Sequence, residues 1–189
     1  MAISNSEMLK MTRHYTTAEL QGLAWGDTRI ADLDLTARDI LEMTEHTVAA
    51  LEEQIERLNA LNILQAKETC EYFWTVARRD QERQNQFPKM GSRIRVLKNT
   101  LTIIWYYSPF ALKVGEASKK LWVSKHISKP AGKTRYSNAS LSRCHPWEKE
   151  NIIEAENDYE IMRRRQLLIT EARSRIKKLK ELTASLVPS

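Results

Sequence analysis

Between Pro88 and Trp147 the chain carries twelve lysines and arginines against a single acid, Glu116. The whole chain has a formal net charge of only +6 over 189 residues, so the two flanks together are net negative and the positive charge is a local property. Seven rings, Trp105, Tyr106, Tyr107, Phe110, Trp122, Tyr136 and Trp147, are interleaved with the bases. Clustered Lys and Arg do the chemistry of polyanion binding, because they replace the counterions condensed on a phosphate backbone. Arginine and short polar side chains on a rigid element read base edges, and rings offer stacking surfaces.

Bond-making chemistry has much less support. Cys144, His145 and Glu148 form the one local cluster of possible metal ligands, and they lack the paired spacings of a zinc site. His126 and His145 read instead as a surface histidine and a residue leading into a helix. Gly132-Lys133-Thr134 resembles the end of a phosphate-binding loop, but such a loop needs a glycine five positions earlier, where Ile127 stands. The glutamates of the helical segments read as solvated faces and ion pairs. No catalytic residue, metal ligand or cofactor is therefore expected, and the chain reads as something other than an enzyme.

The elements that must position the basic residues follow from periodicity. Residues 1–33 show no sustained pattern and read as a loosely ordered arm, with one short helix near Thr17 to Leu23. Residues 34–87 read as helix, with Asp34 or Thr36 as the cap and Pro88 as the stop. Ala37, Leu41, Thr44, Val48, Leu51, Ile55 and Leu58 recur at steps of four and three, which is a pairing seam. Past Leu61 the seam turns polar (Asn62, Gln65, Thr69), while Ile63, Leu64, Cys70, Phe73, Trp74 and Ala77 define a rotated face. One long helix or two with a bend near Asn59 to Asn62 would both fit.

Residues 88–146 read as a small basic sheet. Arg93 to Leu97 alternates charged with aliphatic residues, Leu101 to Tyr107 is β-branched and aromatic, and Lys98-Asn99 between them makes a hairpin turn. A loop from Ser108 to Lys120 precedes a third alternating strand, Leu121 to Ser128. Period-2 alternation places Ile94, Val96, Leu101, Ile103, Trp105, Leu121, Val123 and Ile127 on a core face. The face left for a nucleic acid holds Arg93, Arg95, Thr100, Thr102, Tyr106, Trp122, Ser124 and His126. Basic turns and loops add Lys98, Lys119, Lys120, Lys129, Lys133 and Arg135. Lys125 belongs with this basic set, although its alternation puts it on the core side. Trp105 and Trp147 read as core, and Tyr136 to Leu141 as a short fourth strand or coil. Residues 147–186 read as a closing helix opened by Pro146, with Met162, Ile169, Ala172, Ile176, Leu179 and Leu186 on a seam. The fold class is α+β: a long N-terminal helix, a three-stranded antiparallel sheet with basic loops, and a long C-terminal helix forming a coiled-coil-like pair with the first.

Two widely separated cysteines, Cys70 and Cys144, indicate free thiols in a reducing compartment. No window approaches a membrane span and the start lacks a secretion signal, so a cytoplasmic location is expected.

The order Arg93-Ile94-Arg95-Val96, Asn99 to Tyr107, Lys125-His126-Ile127-Ser128-Lys129, Tyr136, Pro146-Trp147-Glu148, Glu156 and Ile161 to Arg165 resembles the MobI-type mobilisation proteins of integrative conjugative elements and plasmids. The resemblance implies a non-catalytic accessory factor at a transfer origin. Its expected partners are double-stranded DNA and a relaxase or another component of the transfer complex, with no membrane; the helical seams, taken separately, read as an intramolecular pair that either only covers the sheet or extends beyond it into a homodimer. The alternative is a helical structural subunit of a larger complex containing RNA or single-stranded DNA.

Overall fold

A computed structural model describes residues 15–26, 35–114 and 119–186, the side chains of 109–122 excepted. The chain divides into two units, residues 1–45 and 46–189. In the first, Thr16 and Glu19 form a capping box that starts α1 (Thr17–Trp25), a helix with no buried residue. Helix α2 (Ala37–Gln84) begins in this unit. Thr36 and Asp39 exchange hydrogen bonds at its start, with Thr36 N to Asp39 Oδ2 at 2.7 Å and Asp39 N to Thr36 Oγ1 at 3.2 Å.

Helix α2 runs its 48 residues without a break, which decides between one helix and two. It is about 72 Å long at 1.5 Å per residue. It stops because Asn85 turns left-handed at φ 50° and Gln86 N then donates to Gln81 O, a bond that caps the free carbonyls of the last turn.

In the second unit the order is β1 (Met90–Leu97), β2 (Thr100–Val114), β3 (Lys119–His126), the one-turn helix α3 (Asn138–Leu141), a 3-10 turn (Pro146–Glu148) and α4 (Lys149–Ala184). The strands form one antiparallel sheet in the order β1-β2-β3. Lys98 (φ 48°) and Asn99 (φ 56°) are both left-handed, the two-residue turn whose twist suits a hairpin. The expected loop after Tyr107 is instead a continuation of β2 to Val114. One extra residue of β2 between Tyr107 and Phe110 shifts the register against β3, and Pro109 lies in that irregularity. Proline has no N–H for a ladder, and a bulge is where a strand tolerates that.

The inner sheet face packs on α2 and α4 through Ile94, Leu101, Ile103, Trp105 and Ile127, whereas Val96, expected on the same face, is 45% exposed near the hairpin tip. Phe73, Trp105 and Tyr159 meet edge to face, at 5.2 Å between the Phe73 and Trp105 rings and 5.7 Å between Trp105 and Tyr159. Met90, Leu101, Ile103, Ile152 and Met162 close the core around them. Helix α4 packs against α2 in the antiparallel sense: Asn151 Nδ2 donates to Phe73 O, Asn62 Nδ2 to Met162 O, and Lys180 pairs with Glu52.

Several expectations need correction. Leu51 and Leu58 of the first seam are exposed, as are Leu179 and Leu186 of the second, while Asn59, Asn62 and Thr183 point inward. Tyr136 is buried beside Trp105, and the residues after it form α3 rather than a strand or coil. Trp147 is half-exposed and stacks on His145, outside the core. Glu148 and Glu156 are buried rather than solvated. Glu148 Oε1 accepts from Met90 N and its Oε2 from His145 N, so both carboxylate oxygens are taken by main-chain donors and the side chain closes the turn into α4.

Candidate nucleic-acid interface

The β1–β2 register assembles the candidate face. Arg93 pairs with Ile104, Arg95 with Thr102 and Gly91 with Tyr106, so these six residues share the sheet side opposite the one that carries Ile103 and Trp105. Arg93, Arg95 and Thr102 are exposed, Thr100 and Ile104 half-buried. Residues two apart on a strand sit about 7 Å apart on the same side, so both arginine side chains leave the sheet on one side. Between Pro88 and Glu116 the chain has no carboxylate. Among the described residues, neither Arg93, Arg95 nor Lys98 forms an ion pair.

Tyr106 is held rather than free. Its ring lies across Gly91, leaving no room for a Cβ there, and tilts against Trp74 of α2 at 6.4 Å between centroids. The Arg93 guanidinium sits 5.3 Å from the ring centre on the same residue. Burial pushes the Tyr106 hydroxyl above its ordinary value, against the opposing pull of Arg93. The phenol therefore stays neutral and supports Arg93, and its partly covered ring offers a base less than an open platform would.

The hairpin tip is anchored by α2 and α4. Asn59 Nδ2 donates to Asn99 O, Asn99 Nδ2 to Glu56 Oε2 at 2.6 Å, and Arg173 grips Glu56 through two bonds of 2.6 Å while also reaching Asn99 O. The Arg173 hydrogen bonds, seconded by its charge and by Asn99, hold the Glu56 carboxyl below the usual range in spite of slight burial. Lys98 is thus fixed at an exposed corner. Sequence reasoning did not find these anchors, because Glu56 and Arg173 are 117 residues apart and each resembles an ordinary surface charge.

On β3, His126 stands opposite Tyr106 and Lys125 opposite Tyr107. Ser124, Lys125 and His126 are all exposed. Lys125 keeps core-side parity, yet it lies at the end of the strand where nothing covers it. Lys119 and Lys120 pair with Val114 and Lys113, and Trp122 with Ala111; these three are placed by backbone register alone.

The basic turn after β3 takes a different position. Ile127 N donates to Trp105 O, and the chain then crosses to α4, where Arg163 donates to Thr134 O and Arg135 pairs with Glu160 at 2.9 Å. The Arg135 hydrogen bond, helped by the charges of Arg164 and Arg135, lowers the Glu160 carboxyl below its ordinary value. Lys129 donates to the Lys133 carbonyl, and Lys133 is exposed. The fifteen sequence candidates therefore separate into a sheet-face group around Arg93, Arg95, Lys98, Thr102 and His126 and a turn group beside α4.

Comparison with known proteins identifies the family. The family model described as MobI protein matches residues 58–177. The chain belongs to the MobI family. This is a mobilisation-related family. The MobI match starts within α2 and ends within α4, so it takes in the sheet and both helices that carry it. No curated protein and no solved structure matches the chain. Among the described residues, no helix is long and apolar enough to cross a membrane, and no group of three or more His, Cys, Asp or Glu could hold a metal ion.

Proposed function

We propose that this MobI-family protein is an accessory DNA-binding factor of conjugative transfer, which lays the outer face of its sheet on duplex DNA and helps a relaxase engage the transfer origin. It does no bond chemistry of its own. The observation that carries the reading is the pair Arg93 and Arg95, on one side of the sheet and exposed, on an element without carboxylates. Arginines so placed suit phosphate contacts, while Thr102, Ser124 and His126 are short enough for base edges. Lys98 extends the footprint at the hairpin tip.

The test is anisotropy titration of duplex DNA at several salt concentrations, using transfer-origin and shuffled sequences. If both arginines neutralise phosphates, Arg93→Ala/Arg95→Ala weakens binding and reduces the slope of log K against log salt by about 1.8, at roughly 0.9 per phosphate contact. Binding that ignores salt, or a double variant that binds as wild type does, overturns the proposal. Equal or stronger binding to single strands or RNA would favour the structural-subunit alternative instead.

A further inference from the structure

The helix pair has a second long face, turned away from the sheet. In α4, Tyr159 and Gln166 bond to the sheet residues Ser92 and Leu101, while Asn151 and Arg173 bond to α2. Those contacts fix the helix's rotation, and the 3.6-residue period then puts Ile161, Leu168 and Leu179 on the side opposite the sheet. They are 54%, 65% and 47% exposed. On α2 the same reasoning gives Leu58, Leu61 and Tyr72, at 42%, 54% and 55%. The bonds Arg165–Gln65 and Lys180–Glu52 set the helix register, which brings Leu168 level with Leu61 on the same side of the pair. Solvated monomers rarely leave so long an apolar stripe uncovered.

Charge along this face changes sign from end to end. Towards the start of α4, Glu154 and Asp158 with Glu68 and Tyr72 of α2 line a groove of about 230 Å³. On the other side of Leu61 and Leu168 the same face carries Arg57 and Arg175, both exposed, with Arg175 in a surface pair with Glu171 at 2.9 Å. A twofold contact requires a surface complementary to itself. Acids towards one end, Arg57 and Arg175 towards the other, and Leu61 and Leu168 between them meet that requirement when two copies pair antiparallel and Arg175 exchanges its weak surface pair with Glu171 for the acids of the other copy.

We propose that this face is a homodimer interface, with a twofold axis near Leu61 and Leu168, so that the acidic groove of one copy receives Arg57 and Arg175 of the other. The two sheets then lie on opposite outer sides of the dimer. That arrangement presents two basic faces pointing apart, a consequence that rests on the proposed function; the pairing itself does not.

The experiment is the mass of the full chain by light scattering and sedimentation equilibrium. Wild type is expected to be a dimer at micromolar concentration, and Leu61→Glu/Leu168→Glu to raise the dissociation constant by about thirtyfold or more, the scale of losing central anchors. Circular dichroism checks that this variant is folded. Asp158→Arg and Arg175→Glu, both at exposed positions, keep the test decisive if it is not. Each alone sets like charges against each other in a homodimer, whereas an equal mixture of the two proteins restores both attractions in a heterodimer. Recovery of dimer on mixing supports the interface. A monomeric wild type, a folded leucine variant that still dimerises, or a mixture no more associated than its components overturns it. Failure of DNA binding would leave every one of these masses unchanged.

Discussion

Replacing Glu156 by alanine tests the packing logic most severely. Its carboxylate is 1% exposed and accepts four hydrogen bonds, from Trp105 Nε1 at 2.6 Å, Tyr136 N at 2.8 Å and the Arg163 guanidinium at 2.9 and 3.2 Å. Arg163 is itself buried, donates to Thr134 O and lies over the Tyr136 ring at 4.9 Å. Glu156→Ala leaves a guanidinium and two N–H donors without their acceptor. Stranding one partner of a buried ion pair costs about 3–5 kcal/mol. The two lost N–H bonds belong to the same network and do not add in full, so about 4 kcal/mol is expected. Urea unfolding followed by tryptophan fluorescence and far-ultraviolet dichroism measures it. Glu156→Gln/Arg163→Met removes both charges and should cost less than Glu156→Ala alone, because no unpaired charge stays buried. A cost below about 1 kcal/mol for Glu156→Ala, the range of ordinary surface substitutions, would refute the reasoning.

Gly91→Ala should destabilise by about 1–3 kcal/mol, the usual cost of overpacking, because a Cβ at Gly91 would meet the Tyr106 ring at 2.3 Å. In a Tyr106→Ser background the same change should cost almost nothing, which thermal melts of the four proteins would show. A pH effect follows from Glu56, whose folded carboxyl titrates below its ordinary value of 4.5 mainly through the Arg173 hydrogen bonds. The stability from that pairing is fully present above about pH 4.5 and is lost as pH falls through the lower folded value. Melting temperatures of Glu56→Gln should therefore fall less steeply than wild type between pH 4.5 and 3; parallel curves would contradict the assignment.

Alternation and turn chemistry made the hairpin readable, since Arg93 to Val96 and Leu101 to Trp105 each place one apolar set on one side, and Lys98-Asn99 is a two-residue turn. The bulge is hidden in the sequence because proline normally ends a strand, so Pro109 reads as loop. Helix seams were read from leucines, and there the sequence misled: a step-four-and-three pattern says which residues share a face, without saying whether that face meets a neighbour. Leu51, Leu58 and Leu179 share their faces with solvent instead. Glu148 and Glu156 were indistinguishable in sequence from their solvated neighbours because their partners, Met90 and Trp105, are more than fifty residues away. The candidate face was legible as composition, while its division into a sheet group and a turn group depended on Arg135 finding Glu160, a tertiary contact.

Those outward leucines and the inward amides have one cause. Asn59 reaches the hairpin at Asn99 O, Asn62 reaches α4 at Met162 O, Asn151 reaches α2 at Phe73 O, and Gln166 receives Leu101 N from the sheet. Each amide meets a main-chain group of a different element, so each fixes one rotation or one axial position. Leucine against leucine would tolerate a slide along the helix, since one apolar contact replaces another. An amide that slides loses its partner while still buried, at about 1–3 kcal/mol each. The polar positions therefore specify which side of α2 and α4 faces the sheet. With those sides taken, the helical period leaves Leu61 and Leu168 pointing away from it, and the surface proposed to receive a second copy is set by the same residues that hold the basic hairpin in place.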